Sequence, residues 1–204
     1  SAATFVYIID TSDSMKRYRP MVIDAVLRDA DRAFLSDPPV FQPGDRIHLW
    51  SFSSEVRELL LIGFAPNSEN KFRAQFESEL ARLRWGGITS LARPLLKSLE
   101  EFRPAEAGHL NLFVYTDCRD SISGRYFETM LRIYNHSFKI ESRMDNFFVV
   151  QFGKEVVPDT TRKLFAALDG KIVAANRSID LRVATAPETP KPTVISITPK
   201  SIEF

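Results

Sequence analysis

Residues 5–9, Phe-Val-Tyr-Ile-Ile, make an unbroken apolar and aromatic run that stops at Asp10. Such a run has no polar alternation with which to meet water. It predicts a strand covered on both faces, the kind found inside a parallel sheet. Ser12, Asp13 and Ser14 follow directly, and an amphipathic segment begins almost at once. Oxygen-bearing side chains at positions 10, 12 and 14 lie two apart, so in an extended loop they share one side. One carboxylate and two hydroxyls on a loop leaving a buried strand are half of a site for a hard cation.

The rest of the chain supplies the sheet. Tyr18, Val22, Ala25, Val26, Ala30, Ala33 and Phe34 repeat at helical spacing. Pro20 is tolerated only near a first turn, which places the start of that helix at 15–19. Ser12 and Ser14 are good N-cap residues for it. Asp37-Pro38-Pro39 ends it, and Pro43-Gly44-Asp45 is a turn. Strand two is expected over 45–52, alternating through Ile47 and Leu49, and strand three over 55–64. Only Ser53-Ser54 separates them, too few residues for a parallel crossover, so they form an antiparallel hairpin at a sheet edge. Phe72, Phe76, Leu80 and Leu83 mark a second helix. Residues 85–90, Trp-Gly-Gly-Ile-Thr-Ser, form a glycine loop. A helix over 91–102 follows, with Leu95, Leu99 and Phe102 inward and Pro94 in its first turn. A strand over 109–116 ends in Thr116-Asp117. A helix over 126–138, a strand over 145–152, a helix over 158–168 and edge strands over 171–175 and 179–183 complete the pattern. Pro187, Pro190, Pro192 and Pro199 make 185–204 an extended linker or the start of a further module.

Strands alternating with helices predict an α/β fold: a doubly wound, mostly parallel central sheet with one antiparallel edge strand and helices on both faces. One domain over 1–184 fits the length. Ligands of such sheets sit beyond the carboxyl ends of the strands, where strand order reverses. Asp10 and Asp117 both end strands at that edge, and the glycine loop can reach it. A net charge of +1 gives no nucleic-acid footprint, and no run is long enough to span a membrane. The single Cys118 excludes an internal disulfide and a cysteine-based zinc site. His48, His109 and His136 are scattered on strand and helix patterns and are expected to pack or face solvent. Phe72/Phe76 and Phe147/Phe148 are expected in the core.

Asp10-Thr11-Ser12-Asp13-Ser14 resembles the Asp-x-Ser-x-Ser motif of von Willebrand factor type A domains. Thr89, after Gly86-Gly87-Ile88, is similar to that family's lone threonine, and Asp117, after Tyr115-Thr116, to its distal aspartate. The three elements occur in the family's order, over residues 3–184. The resemblance implies a Rossmann-like vWA fold and a metal-ion-dependent adhesion site built from Asp10, Ser12, Ser14, Thr89 and Asp117. It implies Mg2+, with Mn2+ or Ca2+ as substitutes. Ser12 and Ser14 would be direct ligands, Asp10 and Asp117 charge-balancing groups, and Thr89 a ligand that changes with state. The implied partner is a protein that offers an Asp or Glu carboxylate to the metal, with no nucleic acid involved. A rim of Asp13, Trp85, Gly86, Gly87, Arg119 and Asp120 would surround it. Two positions depart from the family pattern. Asp13 stands where glycine is frequent and is read as a helix cap or a partner contact. Cys118 also stands where glycine is common and is read as a bystander, since a thiol is a poor magnesium ligand.

The expected function is a binding module without catalysis, in an extracytoplasmic setting, although family members also work inside cells. A scaffold that holds metal weakly or not at all is the alternative. A metal-dependent phosphohydrolase is the enzyme reading. It requires an acid two residues beyond the strand-end aspartate, where this chain has Ser12, with the acid displaced to Asp13. No Walker loop, nucleophile elbow or dinucleotide fingerprint is present.

Overall fold

The computed structural model describes residues 2–36, 39–102, 109–121, 129, 146–177 and 179. Its centre is a sheet of six strands: β1 (Thr4–Asp10), β2 (Arg46–Phe52), β3 (Val56–Gly63), β4 (Leu110–Thr116), β5 (Asn146–Gln151) and β6 (Lys171–Ala174). The order is β3-β2-β1-β4-β5-β6. All neighbours are parallel except β2 and β3, the edge hairpin that the short Ser53-Ser54 connection requires. The chain leaves β1 for β2 on one side and returns to β4 on the other. The order therefore reverses between β1 and β4, and a crevice opens at the carboxyl ends of these two strands.

Period-two geometry divides β1 between two cores. Phe5, Tyr7 and Ile9 pack with helices α1 (Arg19–Leu35) and α2 (Glu69–Ala81). Val6 and Ile8 pack on the other face with α3 (Ala92–Glu101) and α4 (Asp159–Ala167). All five side chains are buried. At roughly 1.5–3 kcal/mol for each large apolar side chain removed from water, β1 is among the best-anchored elements, and the loop after Asp10 starts from a rigid base. Ile47 and Leu49 of β2 join the first core, Trp50 and Phe52 the second. The alternation expected for strand two is thus a split between two dry faces, because β2 lies inside the sheet. Phe72, Phe76, Phe147 and Phe148 are all buried in these cores, as expected.

One local expectation is corrected. Ser12 and Ser14 do not cap the first helix through their side chains. A 3-10 helix, Asp13–Tyr18, comes first, with Ser12 at its N-cap position making no side-chain capping bond. Then α1 begins at Arg19, with Pro20 in its opening turn. Proline cannot donate the backbone bond an interior position needs, so the α-helix can start only here. His48 is buried, and its Nδ1 lies 2.9 Å from Glu58 Oε1, an ordinary packed pair on the hairpin. Apart from residue 129, the expected helix over 126–138, with His136, lies outside the described residues, as do the segments 180–183 and 185–204. Among the described residues no helix is long and apolar enough to cross a membrane.

Candidate functional site

Asp10 sits at the end of β1, fully buried. The Ser12 backbone N–H donates to its Oδ1 at 2.9 Å and the Thr116 hydroxyl to its Oδ2 at 2.6 Å. Burial pushes the Asp10 carboxyl up to about 6; the bonds from Ser12 and Thr116 pull it back, and the nearby Asp117 charge pushes it further up. The two aspartates are therefore close enough to repel, as the β1–β4 pairing requires. Ser12 is buried beside Asp10, and its Oγ lies 3.5 Å from Ser14 Oγ. The two hydroxyls left out of helix capping face each other instead.

The glycine loop is fastened to this loop by backbone alone. Gly86 N–H donates to Thr11 O at 2.8 Å, and Asp13 N–H donates to Gly87 O at 2.9 Å. Gly86 and Gly87 take φ values of +150° and +88°, a region that side-chain-bearing residues rarely enter. A Cβ on Gly87 would also stand 3.3 Å from Ser53 Oγ. The pair thus turns the chain against the β1 loop and delivers Thr89, buried, to the same edge. From the other side Ser121 holds Thr89: its Oγ donates to Thr89 O at 3.1 Å, and its N–H donates to the same oxygen at 3.3 Å.

Asp117 follows β4 and is also buried. Its Oδ1 accepts the Arg119 N–H at 3.1 Å, whereas its Oδ2 is buried with no partner among the described residues. A buried carboxylate oxygen with no donor costs free energy unless something outside the chain satisfies it. Cys118 is buried beside it with φ +63°. That left-handed backbone accounts for a position where glycine would serve. Burial and the charges of Asp117 and Asp10 push the Cys118 thiol up to about 12, so it stays neutral.

In donor type these residues fit a hard divalent cation. The donors are two carboxylates and three hydroxyl-bearing residues, oxygen only, as magnesium requires. Among the described residues no group of three or more His, Cys, Asp or Glu side chains is placed to hold a metal.

The rim is less uniform than the sequence suggests. Asp13 is exposed and paired with Lys16 at 3.0 Å; it lies in the first turn of the 3-10 helix, where an acid is favourable. Arg119 forms a forked pair with Glu155, Nε donating at 2.6 Å, and Arg17 lies 4.0 Å from the same carboxylate. Asp120 accepts the Leu91 N–H at 3.2 Å and so holds the start of α3. Trp85 is half-buried against the first core. Of the expected rim, then, Arg119 and Asp120 tie loops together in this structure, and Gly86 and Gly87 act through backbone.

Sequence reasoning missed Thr116, Ser121 and Glu155. Thr116 was within reach, because the register pairs Ile9 with Tyr115 and so sets Asp10 beside Thr116. Ser121 and Glu155 carry no pattern of their own.

A doubly wound, mostly parallel sheet of this order, with one antiparallel edge strand, defines a class of α/β folds. The particular member is the von Willebrand factor type A fold. The chain superposes on a von Willebrand factor type A protein from Catenulispora acidiphila with a TM-score of 0.63 and 20% identity, over 85% of this chain and 38% of that one. It superposes on the ArnB paralog VWA2 from Sulfolobus acidocaldarius with a TM-score of 0.58 and 22% identity, over 85% and 41%. With the SpRpn10 VWA domain the TM-score is 0.58 and the identity 9%, over 90% and 92%. The chain spans less than half the length of the first two. No family model and no curated protein matches it.

Proposed function

We propose that this domain is a metal-dependent protein-binding module. Ser12 and Ser14 would hold a Mg2+ directly, Asp10 and Asp117 would balance its charge, and Thr89 would complete the set from the glycine loop. The bound ion would supply an electrophilic position for an Asp or Glu carboxylate of the partner protein. The observation that carries this reading is Asp117 Oδ2, a buried carboxylate oxygen without a donor among the described residues, on the strand that neighbours the one ending in Asp10.

Binding is favoured over phosphoryl chemistry by Asp13. The phosphohydrolase reading needs an acid within reach of the strand-end aspartate, and the Asp13 side chain is solvent-exposed and engaged with Lys16. Position 12 offers a hydroxyl, which suits coordination and not proton transfer. An extracytoplasmic setting rests on the adhesion role alone.

The test is the melting temperature of the chain with and without millimolar Mg2+ or Mn2+. The expected result is a rise in wild type that Ser12→Ala removes while the far-ultraviolet circular dichroism is unchanged. A melting temperature indifferent to both metals would favour the metal-free scaffold. The partner half of the reading is tested by affinity capture, which EDTA should abolish.

A further inference from the structure

Beside the candidate site lies a cavity of about 380 Å3, inside the roughly 300–1,000 Å3 usual for ligand sites. Thr11 and Gly86 line it, and their backbones bond each other. It therefore adjoins the loops that carry Ser12 and Thr89. Its other wall comes from the β2–β3 turn, β3 and the segment after α2, and it is basic. Arg57, Arg82 and Arg84 line it against one acid, Glu55. The charges within it are not balanced. Glu55 is paired with Arg93 at 2.7 Å, and Arg82 is paired with Glu79. Arg57 and Arg84 have no ion-pair partner among the described residues. Trp85, also in the wall, has an indole N–H with no acceptor among the described residues.

The whole chain carries a net charge of only +1, so a general excess of positive charge does not account for two uncompensated guanidiniums in one concavity. Guanidinium presents a planar fork that matches a carboxylate. Nucleic acid would need a longer track of phosphate contacts than this cavity can offer. We propose that the cavity receives an Asp or Glu side chain of the partner protein, from the same acidic segment whose other carboxylate goes to the metal. Recognition then has two points: a metal at the β1–β4 switch, and an arginine pocket on the β2 side. The second point rests on the metal-binding reading only for the idea of a shared segment. The pocket's own affinity is independent of metal.

Fluorescence anisotropy of a fluorescein-labelled hexaglutamate peptide with the full chain tests this at about 50 mM salt, where surface charges are weakly screened. In EDTA the peptide should bind wild type. Arg57→Glu with Arg84→Glu should weaken it at least about tenfold, since both positions are exposed and the fold, followed by circular dichroism, should persist. In Mg2+ wild-type affinity should rise several-fold, and Asp117→Asn should cancel the rise while keeping the affinity seen in EDTA. No peptide binding in EDTA, equal binding by the double variant, or tighter arginine-dependent binding of labelled oligothymidylate would overturn the pocket. Arginine-dependent binding with no Mg2+ gain would uphold the pocket and overturn the metal reading instead.

Discussion

Asp10 and Asp117 end neighbouring strands at one sheet edge, both are buried, and the fold treats them in opposite ways. Each Asp10 oxygen has a donor from the chain, the Ser12 N–H on one side and the Thr116 hydroxyl on the other. Among the described residues Asp117 has a donor for one oxygen and none for the other. The β1 end of the crevice is thus closed by internal bonds, while the β4 end keeps an acceptor in reserve. Removing a carboxylate whose oxygens both accept from the chain strands its donors, whereas a half-satisfied one has an oxygen that only an outside group could satisfy. Two residues that read alike in the sequence should therefore fail differently when altered.

The largest effect should come from Asp10→Ala, which strands two buried donors. We expect a loss of about 2–4 kcal/mol in urea unfolding of the metal-free protein, together with loss of any response to Mg2+. A loss under about 1 kcal/mol would break the contrast at its structural end. Thr116→Val should come next. It removes a donor to Asp10 and the acceptor of the Cys118 N–H, and about 1–2 kcal/mol is expected. Asp117→Asn should leave the metal-free protein within about 1 kcal/mol of wild type, because its Oδ1 can still accept from Arg119 and a charge that repels Asp10 is gone. Its Mg2+ response should nevertheless vanish. Smallest of all, Arg119→Ala should change stability by less than about 1 kcal/mol, since its pair with Glu155 is solvent-exposed. Unfolding that is markedly weakened by that change would mean the rim, and not the strand ends, holds the crevice together.

Protonation sharpens the same contrast. The Asp10 carboxyl is raised to about 6 in the folded, metal-free chain, against about 3.9 for a free side chain. Between those values the folded state holds more protons than the unfolded one. Stability of the metal-free protein should then be greatest at low pH within this window and decline as pH rises through about 6. A cation needs the ionised form, so added Mg2+ should offset the decline, and its effect on melting should grow from acidic to neutral pH. Melting curves collected across that range, with EDTA and with Mg2+, would show it. Slopes that are the same in both would contradict it.

Much of this was legible in residues 5–14. An apolar run ending in an acid indicates both a central strand and which of its ends is open, and 110–117 repeats the pattern. The short Ser53-Ser54 connection identified the antiparallel edge for the same reason: chain length limits crossover. Other features were hidden because they depend on where loops close in space. Ser12 at an N-cap position without a capping bond looks the same in sequence as a Ser12 that caps; only the 3-10 turn before Pro20 distinguishes them. The Arg119–Glu155 pair joins loops after β4 and β5, and Arg57 and Arg84 reach one cavity from β3 and from the end of α2. No period or spacing links residues that meet only after the sheet is ordered.

If the Asp117 end of the crevice is kept for a cation, Asp117 must govern Mg2+ binding. Isothermal titration of Mg2+ into wild type and into Asp117→Asn at neutral pH tests it most directly. Saturable one-site heat is expected in wild type and none in the variant, with both proteins folded. Equal heats in the two proteins, or no heat in wild type, would contradict it.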